Sequence, residues 1–323
     1  MQAVSQRAGA LVMAAGLLIT GNVAHAAETP QVRQLNAIAD TVDAVQPGPG
    51  ELRAITRDGP SLKATTAQGR QVSLDTSAAQ LNISLGTGTS ASDGLAALLP
   101  PEVDYHTADV VGSDQAVFAG EDASVTVQVL EEGVRMSTVS PSAAAPHQFT
   151  YRFPGATPTL QADGSVSLDY EVLDGITFSG GVLEEPWAYD ADGRPVDTRY
   201  TVDGDSVIQI IQPHAHVQYP IVADPTWSIG LGIYAHFNRS ETSLVPQWST
   251  ATISAACAAG GAATGAAGAA ALGAACGLVV ENIKHHARAA NSSSPKRCLY
   301  IRFIPAGLLT SAYPGKYRDH RCV

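Results

Sequence analysis

One uncharged segment, residues 253–280, constrains the fold of this chain more than any other part. Residues 254–277 contain 13 Ala and 6 Gly among 24 residues. As one straight helix these residues would extend about 36 Å, which is enough to cross a bilayer. Ala and Gly contribute little to membrane insertion, however, and strongly apolar side chains are sparse before Leu278.

A helical hairpin is the favoured alternative, because two cysteines lie near the ends of the segment. Cys257 and Cys276 would be about 28 Å apart along one helix, whereas a disulfide requires Cα atoms within about 7 Å. If they pair, the chain must reverse between them, and residues 265–268 (Gly-Ala-Ala-Gly) are the predicted turn. The small residues that would let two helices approach closely are Gly261, Gly265, Gly268, Gly273 and Gly277.

Residues 1–26 have the organisation of a secretory signal peptide. Arg7 supplies the positive charge, residues 8–20 are apolar, and residues 24–26 (Ala-His-Ala) provide a cleavage site. The expected location is therefore outside the cell, under oxidising conditions in which disulfides persist.

The chain has four cysteines, all in its last quarter. Four cysteines permit three pairings, and sequence alone does not choose among them. Proximity along the chain favours Cys257 with Cys276 and Cys298 with Cys322.

Charge is divided unevenly along the chain. Residues 1–226 contain 10 Lys and Arg against 27 Asp and Glu, a net charge of −17, whereas residues 227–323 contain 9 against 3, a net charge of +6. This division predicts a contact between the acidic and basic parts, with an anionic membrane or a cell-envelope polymer as the external partner. Drift in surface charge for solubility explains the division equally well. No nucleic-acid motif is present, so no nucleic-acid partner is expected.

The first part of the mature chain is predicted to be a short helix and linker, residues 27–50. Thr29 is a suitable N-cap and Pro30 a suitable first residue, and apolar side chains then recur at helical spacing until residues 47–50 (Pro-Gly-Pro-Gly). The helix is amphipathic, and we expect it to pack on the sheet that follows.

Residues 51–226 form the predicted acidic β-rich module. Alternating apolar and polar runs, such as residues 124–129 and 165–170, are separated by turn dipeptides. Residues 84–99 are interpreted as a loop with a helical turn at residues 94–99. The turn dipeptides are Asp58-Gly59, Asp163-Gly164, Asp174-Gly175, Asp192-Gly193 and Asp203-Gly204.

Residues 227–323 form the predicted basic, disulfide-stapled module. It begins with a strand over residues 227–241, and the hairpin follows, with its second helix continuing through residues 281–288. A strand at residues 297–304, a turn at residues 313–316 and a final segment bring the last cysteines together. The fold class is thus a mainly β N-terminal module (antiparallel sandwich or meander) plus a small α+β C-terminal module with an Ala/Gly-rich hairpin and disulfide-linked strands.

Four runs carry a resemblance: residues 151–155 (YRFPG), 186–188 (PWA), 190–196 (DADGRPV) and 219–227 (YPIVADPTW). Together, within about residues 140–227, they resemble a module of secreted actinobacterial two-module proteins. In those proteins a β-rich part ends in a similar Y-P-V-V-A-D-P-T/S-W junction before varied C-terminal modules. The Ala/Gly core with its two cysteine pairs is similar to one of these C-terminal modules. The resemblance implies this organisation, and it implies no reaction and no functional residue.

Candidate metal ligands are few. His214 and His216 would share one face of a strand, and Asp224 or His236 would complete a site. Two exposed or packing histidines are the simpler interpretation. His285 and His286 are adjacent on a helix and point about 100° apart, which is unsuitable for shared ligation.

Candidate catalytic groups are also weak. The chain has no Gly-x-Ser-x-Gly motif, and Ser179 before Gly180-Gly181 is interpreted as a turn residue. The carboxylate pairs at residues 184–185 and 203–205 are better explained as acidic turns. We therefore expect no catalytic residue, no cofactor and no resident metal.

Two functions follow from these features. In the first, the protein is not an enzyme, and the cationic C-terminal module is a bacteriocin-like or membrane-active effector carried by the acidic β-rich pro-region. Cleavage near residues 219–227 would release it. In the alternative, the modules stay together as a secreted cell-envelope binding or structural protein. A metal-dependent enzyme that uses His214 and His216 is a third, weaker alternative.

Overall fold

The computed structural model describes residues 28–46, 48, 51–84, 94–173, 176–229, 233–260, 265–306, 309–318 and 321–323. The predicted signal peptide, the Asp174-Gly175 turn and Gly261 lie outside these described residues, as does most of the predicted loop at residues 84–99.

The N-terminal helix α1 (Pro30–Val45) forms as predicted. The Thr29 hydroxyl accepts a hydrogen bond from the Val32 amide at 3.3 Å, and Pro30 occupies the first helical turn. The helix buries one apolar stripe against the second of two β-sheets, where Leu35 and Ala39 lie in one hydrophobic cluster with Val117. The predicted packing of this helix on a sheet is therefore confirmed.

The described residues contain 21 strands, which form two antiparallel sheets. The strands are β1 Thr56–Asp58, β2 Ser61–Thr65, β3 Gln71–Asp75, β4 Gln80–Ile83, β5 Leu95–Leu98, β6 Tyr105–Val111, β7 Gln115–Gly120, β8 Ser124–Val129, β9 Gly133–Ser140, β10 Gln148–Arg152, β11 Ala156–Leu160, β12 Val166–Leu173, β13 Ile176–Leu183, β14 Ala188–Tyr189, β15 Asp197–Asp203, β16 Ser206–Gln212, β17 Ile221–Ala223, β18 Thr226–Ser228, β19 Ile233–Phe237, β20 Cys298–Ala306 and β21 Leu309–Tyr317.

The first sheet has the order β1-β2-β3-β4-β5-β10-β16-β15 in the described part of the chain. Asp58-Gly59 and Asp203-Gly204 connect its hairpins, with both glycines at positive φ, as the turn dipeptides predict. The predicted helical turn at residues 94–99 is wrong, because β5 pairs there with β4 and buries Leu95 and Ala97 on one face. Buried and partly exposed residues alternate along this segment, and this alternation, rather than its glycine content, makes it a strand.

The second sheet has the order β21-β20-β19-β13-β18-β9-β8-β7-β6 across the residues described. Four further strands join it at the side: β11 pairs with β12, β12 with β13, β14 with β17, and β17 with β9. Ser179-Gly180-Gly181 lies within β13, so the predicted turn there is wrong. The register shifts opposite these glycines, and Gly181 has φ +113°, which is typical of a β-bulge.

Side chains from both sheets meet in one hydrophobic core, which supports the sandwich alternative. Phe153, directly after β10, lies edge-on against Trp227 of β18, with ring centroids 5.2 Å apart. Tyr151 of β10 donates its hydroxyl hydrogen to the Met136 carbonyl of β9 at 3.4 Å. Each of these side chains is fully buried, and burial of a large apolar side chain contributes about 1.5–3 kcal/mol to stability.

Helices occupy the C-terminal part between β19 and β20. They are α2 Arg239–Leu244, α3 Thr250–Gly260, α4 Gly265–Leu278 and α5 Val280–Asn291. The strand predicted over residues 227–241 is two short strands that end at Phe237, and α2 begins at Arg239. Asn238 and Glu241 explain the change, since each side chain accepts a hydrogen bond from the other residue's amide in a capping box.

The Ala/Gly segment is a hairpin, and both predicted disulfides are confirmed. Cys257 of α3 and Cys276 of α4 have Cα atoms 6.3 Å apart, and Cys298 and Cys322 are joined likewise with a Cα separation of 5.6 Å. The predicted turn position is wrong, because residues 265–268 form the first turn of α4. One continuous spanning helix is excluded, since α3 ends at Gly260.

Two of the predicted small residues lie where the helices approach most closely. A Cβ atom on Gly273 would be 3.1 Å from both the Ala258 Cβ and the Ser254 carbonyl oxygen. A Cβ atom on Gly277 would be 3.0 Å from the Ser254 Oγ. Larger side chains at these positions would force α3 and α4 apart.

The second helix of the hairpin does not continue to residue 288 as predicted. α4 ends at Leu278, and α5 is a separate helix that buries Ile283, Ala287 and Ala290. In the described part of the chain, no helix combines the length and apolar character needed to cross a membrane.

β20 and β21 pair along their full length as the last two strands of the second sheet. The predicted turn at residues 313–316 is wrong, because these residues belong to β21. Pro314 is tolerated there because β21 is an edge strand, where a missing N–H donor costs little.

Substitution of Gly273 tests the hairpin contact. We expect Gly273→Leu to lower the free energy of unfolding by about 1–3 kcal/mol, because the side chain would overlap Ala258 and the Ser254 carbonyl. Chemical denaturation with the disulfides intact measures this loss. Ala274→Leu is the matched control, since Ala274 is exposed on the same helix. Equal stability of the two variants would contradict the close contact.

Candidate functional site

The predicted histidine pair does not form a strand-borne site. β16 ends at Gln212, and His214 and His216 are exposed in the turn that follows, where the His216 amide donates to the His214 Nδ1 at 3.3 Å. The expectation that the two imidazoles share a strand face is therefore wrong. Asp224 does not complete the predicted site, because it lies in a buried hydrogen-bond network with Trp187 and Thr226. His236 lies on a different strand, β19. Within the described residues, no group of three His, Cys, Asp or Glu side chains is arranged to hold a metal ion.

The other residues considered as metal ligands or catalytic groups make contacts that stabilise the fold. His285 and His286 lie on α5 with their rings nearly perpendicular, at 87°. Asp205 forms an ion pair with Arg152 at 2.9 Å, and Glu184 accepts a hydrogen bond from the Ser228 hydroxyl. These carboxylates stabilise turns and strand ends.

The junction at residues 219–227 is part of the sheet and is largely buried. β17 pairs with β9 and β14, and β18 lies between β9 and β13. Trp227 is fully buried and donates its Nε1 hydrogen to the Gly180 carbonyl at 3.0 Å. The last residues of the predicted β module are thus central strands of the sheet.

A buried polar network explains several residues of the junction motif. The Asp224 carboxylate accepts hydrogen bonds from the Trp187 amide at 3.1 Å and the Thr226 hydroxyl at 2.7 Å. Arg135 donates to the Thr226 Oγ1 at 3.1 Å, and its guanidinium lies 5.7 Å from the centre of the Trp187 ring. Burial raises the pKa of Asp224 to about 7, against the opposing hydrogen bonds from Trp187 and Thr226.

A second concentration of polar and aromatic side chains covers the outer surface of β19, β20 and β21. Alternate residues of β20 point inward, and Leu299, Ile301 and Phe303 are fully buried. The residues between them point outward and are directly paired with outward residues of the neighbouring strands. We call this surface the aromatic–basic face; it comprises Tyr234, His236, Tyr300, Arg302, Tyr313, Tyr317 and Arg321.

The rings of this face are clustered around His236. The His236 ring stacks on Tyr234 at a centroid distance of 6.0 Å and meets the Tyr317 ring edge-on at 4.9 Å. Tyr300 lies 5.7 Å from Tyr234. The Arg302 guanidinium lies 5.7 Å from the Tyr234 centroid, within the range of a cation–π contact.

The Tyr300 ring fits on the aromatic–basic face because Gly315 has no side chain. A Cβ atom at Gly315 would lie 2.4 Å from the Tyr300 Cζ and 2.5 Å from its hydroxyl oxygen. Because the two residues are directly paired across β20 and β21, the ring crosses the neighbouring strand where no side chain is present.

The second disulfide brings Arg321 to this face. Cys322 is tied to Cys298 at the start of β20, and the Arg321 Nη1 then lies 3.3 Å from the His236 Nδ1 and 3.5 Å from the Asp169 Oδ1. Arginine has only donors, so the Nδ1 atom of His236 accepts this hydrogen bond and the neutral ring carries its hydrogen on Nε2. His236 and Asp169 are both buried.

A cavity of about 340 Å³ opens beside His236. This volume is within the range of about 300–1,000 Å³ that small-ligand sites occupy. The exposed wall of the cavity is more apolar than polar, with hydroxyl, amide and cationic groups set into it; the lining residues are Gln161, Ser165, Ser167, Ser179, Val182, Tyr234, His236 and Arg321. Residues from both predicted modules therefore build one cavity.

From the sequence, His236 was predicted only as a possible partner of His214, and Tyr234, Tyr300 and Arg321 were not predicted to belong to a site. A signal was present, since Tyr234-Ala235-His236 and Tyr300-Ile301-Arg302 each place a small or apolar residue between two polar or aromatic ones. Such a surface can stack flat ligands and bind anionic groups through the arginines.

Compared with family models, with curated proteins and with solved structures, the chain has no significant match. The resemblance to secreted actinobacterial two-module proteins stays a prediction.

Replacement of Asp224 by Asn tests the buried network through the pH dependence of stability. The folded protein holds a proton that the unfolded chain releases above its ordinary pKa near 3.8. The stabilisation of the folded state by the protonated Asp224 carboxyl is therefore complete below about pH 3.8 and is lost as the pH rises through about 7. Between pH 4 and 8 we expect the free energy of unfolding of the wild type to fall relative to Asp224→Asn, on the order of 3 kcal/mol.

Chemical denaturation at several pH values measures this difference. Asp203→Asn, which removes an exposed carboxylate at a turn, is the control and should follow the wild-type profile. Parallel profiles for the wild type and Asp224→Asn would show that Asp224 ionises without cost, contrary to its burial.

Proposed function

We propose that this chain is a secreted, non-enzymatic binding protein of the cell envelope whose two parts stay together and act as one unit. The observation that carries the proposal is the position of the junction, because Asp224 and Trp227 are buried within a sheet to which both parts contribute strands. The alternative in which cleavage releases an effector has less support from this geometry.

Cleavage at the junction would require local unfolding of central strands. A protease binds an exposed, extended segment, and such segments are found in loops with few hydrogen bonds. β18 is instead hydrogen-bonded on both sides, to β9 and β13, and β13 in turn pairs with β19. The C-terminal strands therefore continue the sheet of the β module.

The composition of the aromatic–basic face supports a binding role. Tyrosine and arginine supply large contact areas with polar ends, and both are enriched at recognition surfaces. Tyr313 is 53% exposed, and Tyr234, Tyr300 and Arg302 are half-buried, so the face is accessible. The two disulfides fit an oxidising location such as the envelope.

Co-sedimentation of the secreted full-length protein with isolated cell walls tests the proposal. We expect the intact chain in the pellet, identified by mass without reduction. Tyr234→Ala combined with Tyr313→Ala should weaken the affinity for cell walls about fivefold to 150-fold, because each aromatic contact contributes about 0.5–1.5 kcal/mol. Leu244→Ala, at an exposed apolar residue outside the face, should bind as the wild type does. Absence of wall binding, or binding only by a fragment that begins near residue 227, would refute the proposal.

One observation favours the membrane-active alternative. Leu278, at the end of the uncharged hairpin, is 88% exposed, as expected of a residue that inserts into a lipid surface. We expect the full-length protein to release no dye from anionic vesicles, since the hairpin packs on the rest of the chain. Dye release that Leu278→Glu abolishes, while Leu244→Glu does not, would replace the binding proposal with a membrane-active one.

A further inference from the structure

We infer that the cavity beside His236 binds a carboxylate-bearing sugar unit of an acidic polysaccharide. This inference rests on the proposed function. The cavity is open to solvent, presents hydroxyl, amide and guanidinium groups on a largely apolar wall, and adjoins the clustered rings of the aromatic–basic face. These are the two features that sugar recognition requires, since a sugar has hydroxyl groups at its edge and an apolar face of C–H groups.

The positive charge of Arg321 in the cavity wall favours an acidic ligand. Among the described residues that line it, Arg321 is the only one with a full charge. Its guanidinium has five donors in a planar fork that matches a carboxylate, and His236 and Asp169 both contact the same nitrogen, Nη1. The Arg321 side chain is 23% exposed, so a ligand can reach it from the cavity.

A carboxylate fits this charge better than a phosphate monoester does. Asp169 lies beside Arg321 and offsets its charge, so the site carries an excess of about one positive charge only when the nearby Arg302 is counted, whereas a phosphate monoester carries about −1.5 to −2 at neutral pH. Arg302, whose Nε is buried and has no hydrogen-bond partner among the described residues, adds a second cation above Tyr234.

The remaining walls supply partners for sugar hydroxyls. Ser165 and Ser167 present hydroxyl oxygens that can accept, since they donate their hydrogens to the Asp163 Oδ1 at 2.7 Å and the Thr159 carbonyl at 3.5 Å. Ser179 presents a hydroxyl that can donate, since its oxygen accepts from the Gly181 amide at 3.4 Å. The Gln161 amide nitrogen donates to the Ser167 Oγ at 3.1 Å. Tyr234 forms one wall and stacks on His236, so a sugar ring in the cavity lies against an aromatic ring. A polymer can continue from there across Tyr300 and Tyr313.

Calorimetric titration of the full-length, oxidised protein tests the inference with three probes: tri-galacturonate, the neutral galactotriose of the same linkage, and inorganic phosphate. We expect tri-galacturonate to bind about tenfold more tightly than galactotriose, because a hydrogen bond to a charged group contributes more than a neutral one. Inorganic phosphate should not compete. Equal binding of the acidic and neutral trimers, or displacement by phosphate, would overturn the inference.

Two variants locate the site. Arg321→Gln should weaken tri-galacturonate binding about tenfold, whereas Arg318→Gln, at an exposed arginine of the same tail, should leave it unchanged. If Arg321→Gln fails to fold, as circular dichroism would reveal, Arg302→Gln takes its place with the same expected loss. Wild-type affinity in the folded arginine variant would overturn the assignment.

The two proposals fail differently. A protein that sediments with cell walls and is not displaced by tri-galacturonate keeps its envelope-binding role and refutes the acidic-sugar site. A protein that binds no wall material refutes the envelope role itself.

Discussion

The burial of Asp224, together with that of Trp227 on β18 between β9 and β13, is the constraint on which the rest of the structure depends. Asp224 holds the Trp187 backbone, and Trp227 fills the space between the two sheets against Phe153. β13 then extends past this point to pair with β19, so the helices and the last two strands are attached to a sheet whose register is already set. Burial makes ionisation of the Asp224 carboxyl costly, and the hydrogen bonds from Trp187 and Thr226 offset part of that cost.

The C-terminal part adds a surface to this sheet. Its hairpin is stapled by Cys257–Cys276, while Cys298–Cys322 keeps the tail against the outer side of β19 and β20. The tail carries Arg321 to His236 and Asp169, which come from strands far apart in sequence. A small core of Ala and Gly thus needs disulfide bonds for stability. One of them, Cys298–Cys322, also completes the candidate site.

Local patterns predicted much of this fold. The Thr29-Pro30 helix start, the Asp-Gly turns, the hairpin and both cysteine pairs follow from short-range chemistry. Errors arose where pairing overrides local preference: β5 in a Gly-rich segment, Pro314 inside an edge strand, and the Ser179 bulge. The candidate site was missed because it depends on the non-local pairing of β13 with β19, which no spacing in the sequence reveals.

Native-state hydrogen exchange of the full-length protein tests most directly whether the two parts form one unit around the buried junction. If they do, the amides of β17 and β18 open with the same free energy as those of β9 and β20, because none of these strands can separate without global unfolding. Rapid exchange at residues 221–228, while β19, β20 and the hairpin remain protected, would contradict this, since it would mean that the junction is a linker between independently stable parts.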